Sequence, residues 1–123
     1  MTERKLGTVT ISPGVLSTVA RMTTLGIPGV VRMSPLGVDQ ILSSRRGDGV
    51  KVQIIDEAVV LDLYIVASAD TNVLQLSREI QSQVTRAVHD TVGMAVREVN
   101  VHVLDVTDPP AAAANPTAEA SKV

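Results

Sequence analysis

Cysteine is absent from this 123-residue chain, and so are Phe and Trp, while Tyr occurs once. Without cysteine the chain has no disulfides, no thiol catalysis and no thiolate metal site. Without Phe and Trp, a folded core has to consist of Val, Ile, Leu, Met and Ala, a bias that favours β-strands. The lack of disulfides fits a reducing compartment, and we expect a cytoplasmic protein.

Long apolar runs are missing as well. No window approaches the roughly 18 to 20 apolar residues that a membrane-spanning helix needs, and the first ten residues lack the apolar stretch of a signal peptide. Eleven Lys+Arg against thirteen Asp+Glu leave a net charge of -2. We therefore expect no general attraction to nucleic acid or anionic lipid, so that any membrane association would need a protein partner.

The first third of the chain predicts a strand and then a helix. Residues 7–12 (GTVTIS) alternate threonines with Val9 and Ile11, a pattern typical of a short half-buried strand. Ser12-Pro13 predicts a helix start, because Ser is a favourable N-cap and Pro suits the first helical position. Apolar spacing predicts the buried stripe of this helix: Val15, Leu16, Val19, Ala20 and Met22 or Thr23.

Strand patterns return at residues 30–33 and 50–68. Val50, Val52 and Ile54 alternate with polar residues before Asp56-Glu57, which predicts a hairpin into AVVLDLYIVAS. One side of this long strand is expected to face the core: Val59, Leu61, Leu63, Ile65 and Ala67.

A second helix and a last strand complete the pattern. The helix is predicted to begin at Asp70 or Asn72 and to end at Gly93, with an apolar stripe of Val73, Leu76, Ile80, Val84, Ala87, Val88 and Val92. In the closing VREVNVHVLDV, the residues expected to face the core are Val99, Val101 and Val103.

The predicted element order is β-α-β-β-β-α-β. One sheet with both helices on one face buries every apolar stripe, so the predicted fold is α+β, a two-layer sandwich. The domain is expected to span residues 7–106, between a flexible start at 1–6 and a disordered tail at 107–123.

Gly26-Ile27-Pro28-Gly29 spells G-x-x-G, the loop with which KH domains clamp a nucleic-acid backbone. Pro28 lacks an N–H, no Lys or Arg lies between Arg21 and Arg32, and a strand-like run follows instead of a helix. Pro-Gly also suits the central positions of a type II turn. We interpret the segment as a helix-to-strand turn, with a KH-like nucleic-acid-binding domain as the alternative.

Residues suited to catalysis or metal binding are few. His89 and His102 lack the spacing of metal ligands, and the adjacent acids Asp56 and Glu57 fit a solvated turn. Ser43-Ser44 and Arg45-Arg46 lie in a Gly-containing segment that we interpret as a solvated loop. We expect no enzyme, no metal and no cofactor.

The sheet side away from the core is mixed in character and is the candidate interaction surface. Asp62 is a single acid within VVLDLYIV, and its carboxylate would need a partner if another chain covered it. Such a face and the strand edges predict a homo-oligomer. The candidate residues are Val60, Asp62, Tyr64, Val66, Asn100, His102 and Leu104.

Several segments in order resemble one known family. ISPGVL opening the first helix, IPGVV at the turn, LDLYIVA in the long strand and TVGMAVREVNVHV at the end resemble the bacterial alkaline shock protein family, also called the envelope stress response family. The resemblance covers about residues 6 to 106, and VASADTNV stands where the family commonly has Tyr-Gly. It implies a non-enzymatic cytoplasmic protein of cell-envelope homeostasis, often self-assembling and sometimes tethered through a small membrane-anchor protein.

Overall fold

A computed structural model describes residues 6–35 and 48–108. Its elements are α1 (Pro13–Leu25), β1 (Val30–Met33), β2 (Val50–Ile55), β3 (Ala58–Ser68), α2 (Val73–Val92) and β4 (Ala95–Thr107). Both helices pack on one face of a single sheet, which confirms the predicted two-layer α+β sandwich.

Strand β3 is the centre of the sheet. β4 runs parallel to it along one edge, while β2 and β1 run antiparallel and follow each other along the opposite edge. β1 ends and β2 begins opposite Tyr64. The Tyr64 N–H donates to Gly49 O at 2.8 Å, just before β2, and the Tyr64 carbonyl accepts from Ser34 N–H at 2.7 Å, just after β1. β1 and β2 therefore behave as one strand that is interrupted opposite Tyr64.

The hairpin between β2 and β3 forms where the sequence predicts it. Asp56 and Glu57 have φ values of 50° and 65°, the positive pair that a two-residue type I′ turn requires. The turn sets the register in which Val52 faces Leu61 and Ile54 faces Val59. The apolar side of both strands therefore points toward the helices.

The core lies between this side of the sheet and the two helices. All five core residues predicted for β3 are buried at 0% exposure: Val59, Leu61, Leu63, Ile65 and Ala67. They pack in one cluster with Leu16 of α1 and with the α2 residues Leu76, Ile80, Val84 and Val88. The predicted stripe of α2 is therefore confirmed.

The predicted stripe of α1 is partly wrong. Leu16 and Ala20 are buried, but Val15 and Met22 are exposed, and Ser17 and Thr24 take buried positions instead. Thr24 is tolerated there because its hydroxyl donates to Ala20 O at 2.7 Å, one helical turn back. A polar residue that bonds its own helix thus replaces an apolar one.

The predicted first strand, residues 7–12, is also wrong. These residues form no strand in the described structure, and Val9 is 85% exposed. Alternation alone cannot make a strand, because its N–H and C=O groups need a neighbouring strand. The order of the described elements is therefore α-β-β-β-α-β.

Three predictions lie largely outside the described residues. They concern Ser43-Ser44 with Arg45-Arg46, the flexible start at 1–6 and the disordered tail at 107–123. Within the part that the structure does describe, no helix combines the length and apolarity needed to cross a membrane.

Candidate interaction surface

The sheet face opposite the helices carries six of the seven candidate residues. Alternate positions of β3 place Val60, Asp62, Tyr64 and Val66 on this face, and the register sets Asn100 beside Asp62 and His102 beside Tyr64. Neither helix lies on this side, because both pack against the opposite face. We call it the open face.

A polar cluster occupies the middle of the open face. His102 Nε2 lies 3.0 Å from Asp62 Oδ1, a distance at which a protonated Nε2 donates a hydrogen bond. The Asp62 side chain is 17% exposed and that of His102 is 40% exposed, so the pair is only partly screened by water. The carboxylate thus has its partner within the same chain.

Tyr64 completes the cluster by stacking on His102. The ring centroids are 4.5 Å apart and the planes differ by 11°, a parallel arrangement that orders both rings. Burial raises the pKa of the Tyr64 hydroxyl above 10.0, and the negative charge of Asp62 raises the pKa further. The phenol therefore stays neutral and able to donate a hydrogen bond at physiological pH.

Val60 and Val66 add little accessible surface to the open face. Val60 is 6% exposed and Val66 is 2% exposed. A partner on the open face would therefore contact mostly polar and aromatic groups. Such surfaces recognise by complementarity more than by apolar burial.

Leu104 lies at an irregularity of β4. The pairing passes from Ile65–Val103 to Val66–Asp105, so Leu104 is the extra residue of a β-bulge. Its side chain is 43% exposed. The seventh candidate residue thus lies at a kink of the strand instead of in the regular ladder.

Positive and negative side chains lie at opposite edges of the open face. Arg32 and Lys51 pair with Val66 and Asp62 from the β1–β2 edge, whereas Glu98 and Asp105 lie on β4. All four side chains are exposed. The face therefore runs from cationic at one edge to anionic at the other.

The separation of charge and the Asp62–His102 contact were both missed by sequence reasoning. Asp62 and His102 are 40 positions apart in the sequence, and only the parallel pairing of β3 with β4 brings them together. The alternation of β3 and β4 was a usable signal for which side each residue takes. The missing information was the strand order.

The Gly26–Gly29 segment forms the predicted helix-to-strand turn. Val30 N–H donates to Ile27 O at 3.2 Å, and Gly29 between them has a φ of 109°, as a type II turn requires. Ile27 is 3% exposed and belongs to the core cluster. One residue of the G-x-x-G motif thus anchors the turn to the protein interior.

His89 lies away from the open face, on α2. Its side chain is 71% exposed, and its Nδ1 lies 3.3 Å from Asp90 Oδ1. Within residues 6–35 and 48–108, no group of three or more His, Asp or Glu side chains is arranged to hold a metal ion.

Comparison with known proteins supplies the family. Residues 1–108 match the model of the alkaline shock protein 23 family, described as having a cell envelope-related function. The uncharacterized protein YloU of Bacillus subtilis (strain 168) is 31% identical over 113 residues, covering 85% of this chain and 94% of YloU. Spy1535 of Streptococcus pyogenes serotype M6 (strain ATCC BAA-946 / MGAS10394), also uncharacterized, is 30% identical over 84% of this chain and 81% of its own length.

A solved structure, the copper form of MamM CTD, is similar at 14% identity with a TM-score of 0.49, covering 76% of this chain and 85% of that one. So low a likeness says nothing about what this chain binds. The family resemblance read from the sequence is confirmed by the family model and by the two bacterial relatives. This chain belongs to the alkaline shock protein 23 family, whose function is cell envelope-related.

Proposed function

We propose that this protein is a non-enzymatic assembly or scaffold protein of the cytoplasm that serves the cell-envelope stress response or homeostasis. The observation that carries the proposal is the open face, where Asp62, His102 and Tyr64 hold one another in place. Ordered side chains lose less conformational entropy on binding than mobile ones. The face is thus prepared for contact with another protein.

The charge pattern favours a second copy of the chain as one partner. A two-fold axis parallel to the strands, between two open faces, would lay the β4 edge of each copy over the β1–β2 edge of the other. Arg32 and Lys51 would then approach Glu98 and Asp105 in two symmetric sets. Opposite charges facing each other set both orientation and specificity.

The size of the face predicts reversible association. Three strand positions at about 4.8 Å spacing and eleven residues at about 3.3 Å rise give roughly 500 Å² per copy for a strand the length of β3. Stable interfaces usually bury about 800 Å² per partner. Association through this face is therefore expected at micromolar concentration, and it leaves room for other contacts in an assembly.

Sedimentation velocity on the full chain tests the proposal. The wild type should form species larger than a monomer at micromolar concentration, and Asn100→Arg should shift it toward the monomer because a long cation enters the middle of the open face. Ser82→Arg is the matched control, since Ser82 is exposed on α2 away from the sheet. A wild type that is strictly monomeric, or two variants that assemble alike, would contradict the proposal.

The same preparations test the alternative, nucleic-acid binding through the Gly26–Gly29 turn. A gel shift with mixed single-stranded RNA and DNA is expected to show no complex. Tight, salt-dependent binding that Gly29→Asp abolishes while circular dichroism stays unchanged would favour the KH-like function instead.

A further inference from the structure

The amino-terminal segment, residues 6–12, has the sequence of a strand without a strand's partner. Val9 is 85% exposed and Leu6 is 90% exposed. Among the described residues, no backbone group of residues 6–11 bonds to another backbone group. The segment therefore presents apolar side chains together with amides that no described residue bonds, a combination that favours pairing with another chain.

The outer edge of β2 offers the complementary groups. Tyr64 N–H donates to Gly49 O, so Gly49 and Tyr64 form a hydrogen-bonded pair. In an antiparallel ladder such pairs alternate with unbonded ones, and the next bonded pairs are therefore Lys51–Asp62 and Gln53–Val60. Val52 and Ile54, which lie between them, point their N–H and C=O groups away from β3. The outward N–H of Val50 already bonds to Asp48 Oδ1 at 3.2 Å. Among the residues that the structure describes, none bonds the outward groups of Val52 and Ile54, so these two positions suit a new strand.

The outer edge of β4 is less suited to this role. Its ladder with β3 is irregular at two places, between Val96 and Glu98 and between Val103 and Asp105. The Gln81 side chain of α2 also donates to Val99 O at 3.0 Å. Bulges and occupied acceptors protect an edge from pairing, so a strand from outside is directed to β2.

We propose that the amino-terminal segment of one copy adds as a strand to the outer edge of β2 in a second copy. Residues 7–12 match the six residues of β2 in length. Pairing would place Val9 and Ile11 beside Ile54, which is 46% exposed, on the helix side of the sheet. All three side chains would lose contact with water, which supplies the driving force.

This inference rests on the proposed function, since it names a second contact for the same self-assembly. The contact joins two different surfaces, so each copy can give its segment to one neighbour and receive a segment from another. Combined with two-fold pairing through the open face, it builds an extended assembly. Either contact by itself is small.

Cysteine cross-linking tests the pairing directly, because the chain contains no cysteine. Val9→Cys mixed with Ile54→Cys should give a covalent dimer with a short thiol cross-linker, whereas Val9→Cys mixed with Val106→Cys, an exposed position on β4, should give little. Equal products from both mixtures, or none from the first, would overturn the proposal. So would a double variant, Val9→Cys with Ile54→Cys, that links only within its own chain.

A second measurement uses charge. Val9→Asp should raise the concentration for half-assembly roughly tenfold, while Thr8→Asp, on the other side of the same segment, should change it little. Equal effects of the two variants would contradict strand addition. If the wild type assembles and only Asn100→Arg weakens the assembly, strand addition is contradicted while the proposed function is supported. A wild type that is strictly monomeric would contradict both.

Discussion

Tyr64 is the single tyrosine of a chain without tryptophan, so its near-ultraviolet spectrum reports on one residue of the open face. Its ring stacks on His102, and Asp62 lies close enough to His102 to accept a hydrogen bond. The three side chains form one unit. A change at any of them should therefore alter the ultraviolet absorbance of Tyr64.

The Tyr64 hydroxyl is expected to ionise above its ordinary pKa of 10.0, mainly because of burial and secondly because of Asp62. Above pH 10 the unfolded chain loses this proton while the folded chain keeps it, so this contribution to stability is present below pH 10 and disappears as pH rises through the folded-state pKa. Absorbance titration of tyrosinate measures it. Asp62→Asn should lower the midpoint, whereas Asp90→Asn, on the surface of α2, should leave it unchanged.

Gly29 is required by both conformation and space. Its φ is 109°, and a Cβ at this position would lie 2.9 Å from Thr71 Oγ1 and 3.2 Å from Leu76 Cδ1. Gly29→Ala should therefore lower the free energy of unfolding by about 1 to 3 kcal/mol. Urea denaturation at equilibrium measures the change.

Gly14→Ala is the control for Gly29→Ala. Gly14 lies in the first turn of α1, and the nearest atom to its added Cβ is Ser12 Oγ at 3.7 Å. The same chemical change should be neutral or stabilise by up to about 1 kcal/mol, because Ala favours helix. Similar losses at both positions would mean that strain at Gly29 is not the cause.

At the scale of elements, the two helices begin differently although both starts were predicted. Asn72 caps α2, since its Oδ1 accepts from Gln75 N–H at 2.9 Å. Ser12 occupies the N-cap of α1 with extended backbone, but its side chain makes no cap hydrogen bond. Pro13 at the first position of α1 already removes one unbonded N–H, which lessens the need for a cap.

Removing the two caps should therefore have unequal costs. Asn72→Ala is expected to lower the free energy of unfolding by about 1 kcal/mol, because Gln75 N–H loses its acceptor. Ser12→Ala should change it by a few tenths of a kcal/mol at most. Thermal or urea unfolding of both variants distinguishes them, and an equal loss would show that the Ser12 hydroxyl takes part in capping after all.

At the scale of the whole molecule, charge governs how the protein meets a membrane. The net charge is -2, and the exposed side of α2 carries Arg78 and Arg86 together with Glu79 and Asp90. Mixed charge of this kind gains little from anionic lipid, which attracts clusters of Lys and Arg. Lipid alone is therefore not expected to recruit the protein.

Flotation with anionic vesicles checks this expectation. The purified chain should stay at the bottom of the gradient, and we propose that membrane recruitment in cells requires a protein such as a small anchor. Strong flotation without any partner would contradict that account. Repeating the gradient at high salt would then separate electrostatic from apolar binding.

Much of the fold could be read from local patterns. Alternation predicted the buried side of β3, helical spacing predicted the buried stripe of α2, and Pro28-Gly29 predicted the turn into β1. These features depend on neighbours within a few residues along the chain. Local physical chemistry was therefore enough to determine them.

Residues 7–12 and the Asp62–His102 pair needed the tertiary structure. A strand exists only if a neighbour accepts its hydrogen bonds, and the described structure pairs no strand with residues 7–12. The Asp62–His102 contact depends on β4 running parallel beside β3, a choice made by the packing of α2 and the sheet as a whole. The sequence by itself determined which side of each strand is apolar; the tertiary structure decided which polar side chains meet, because strand order is a property of the folded chain and of no single segment.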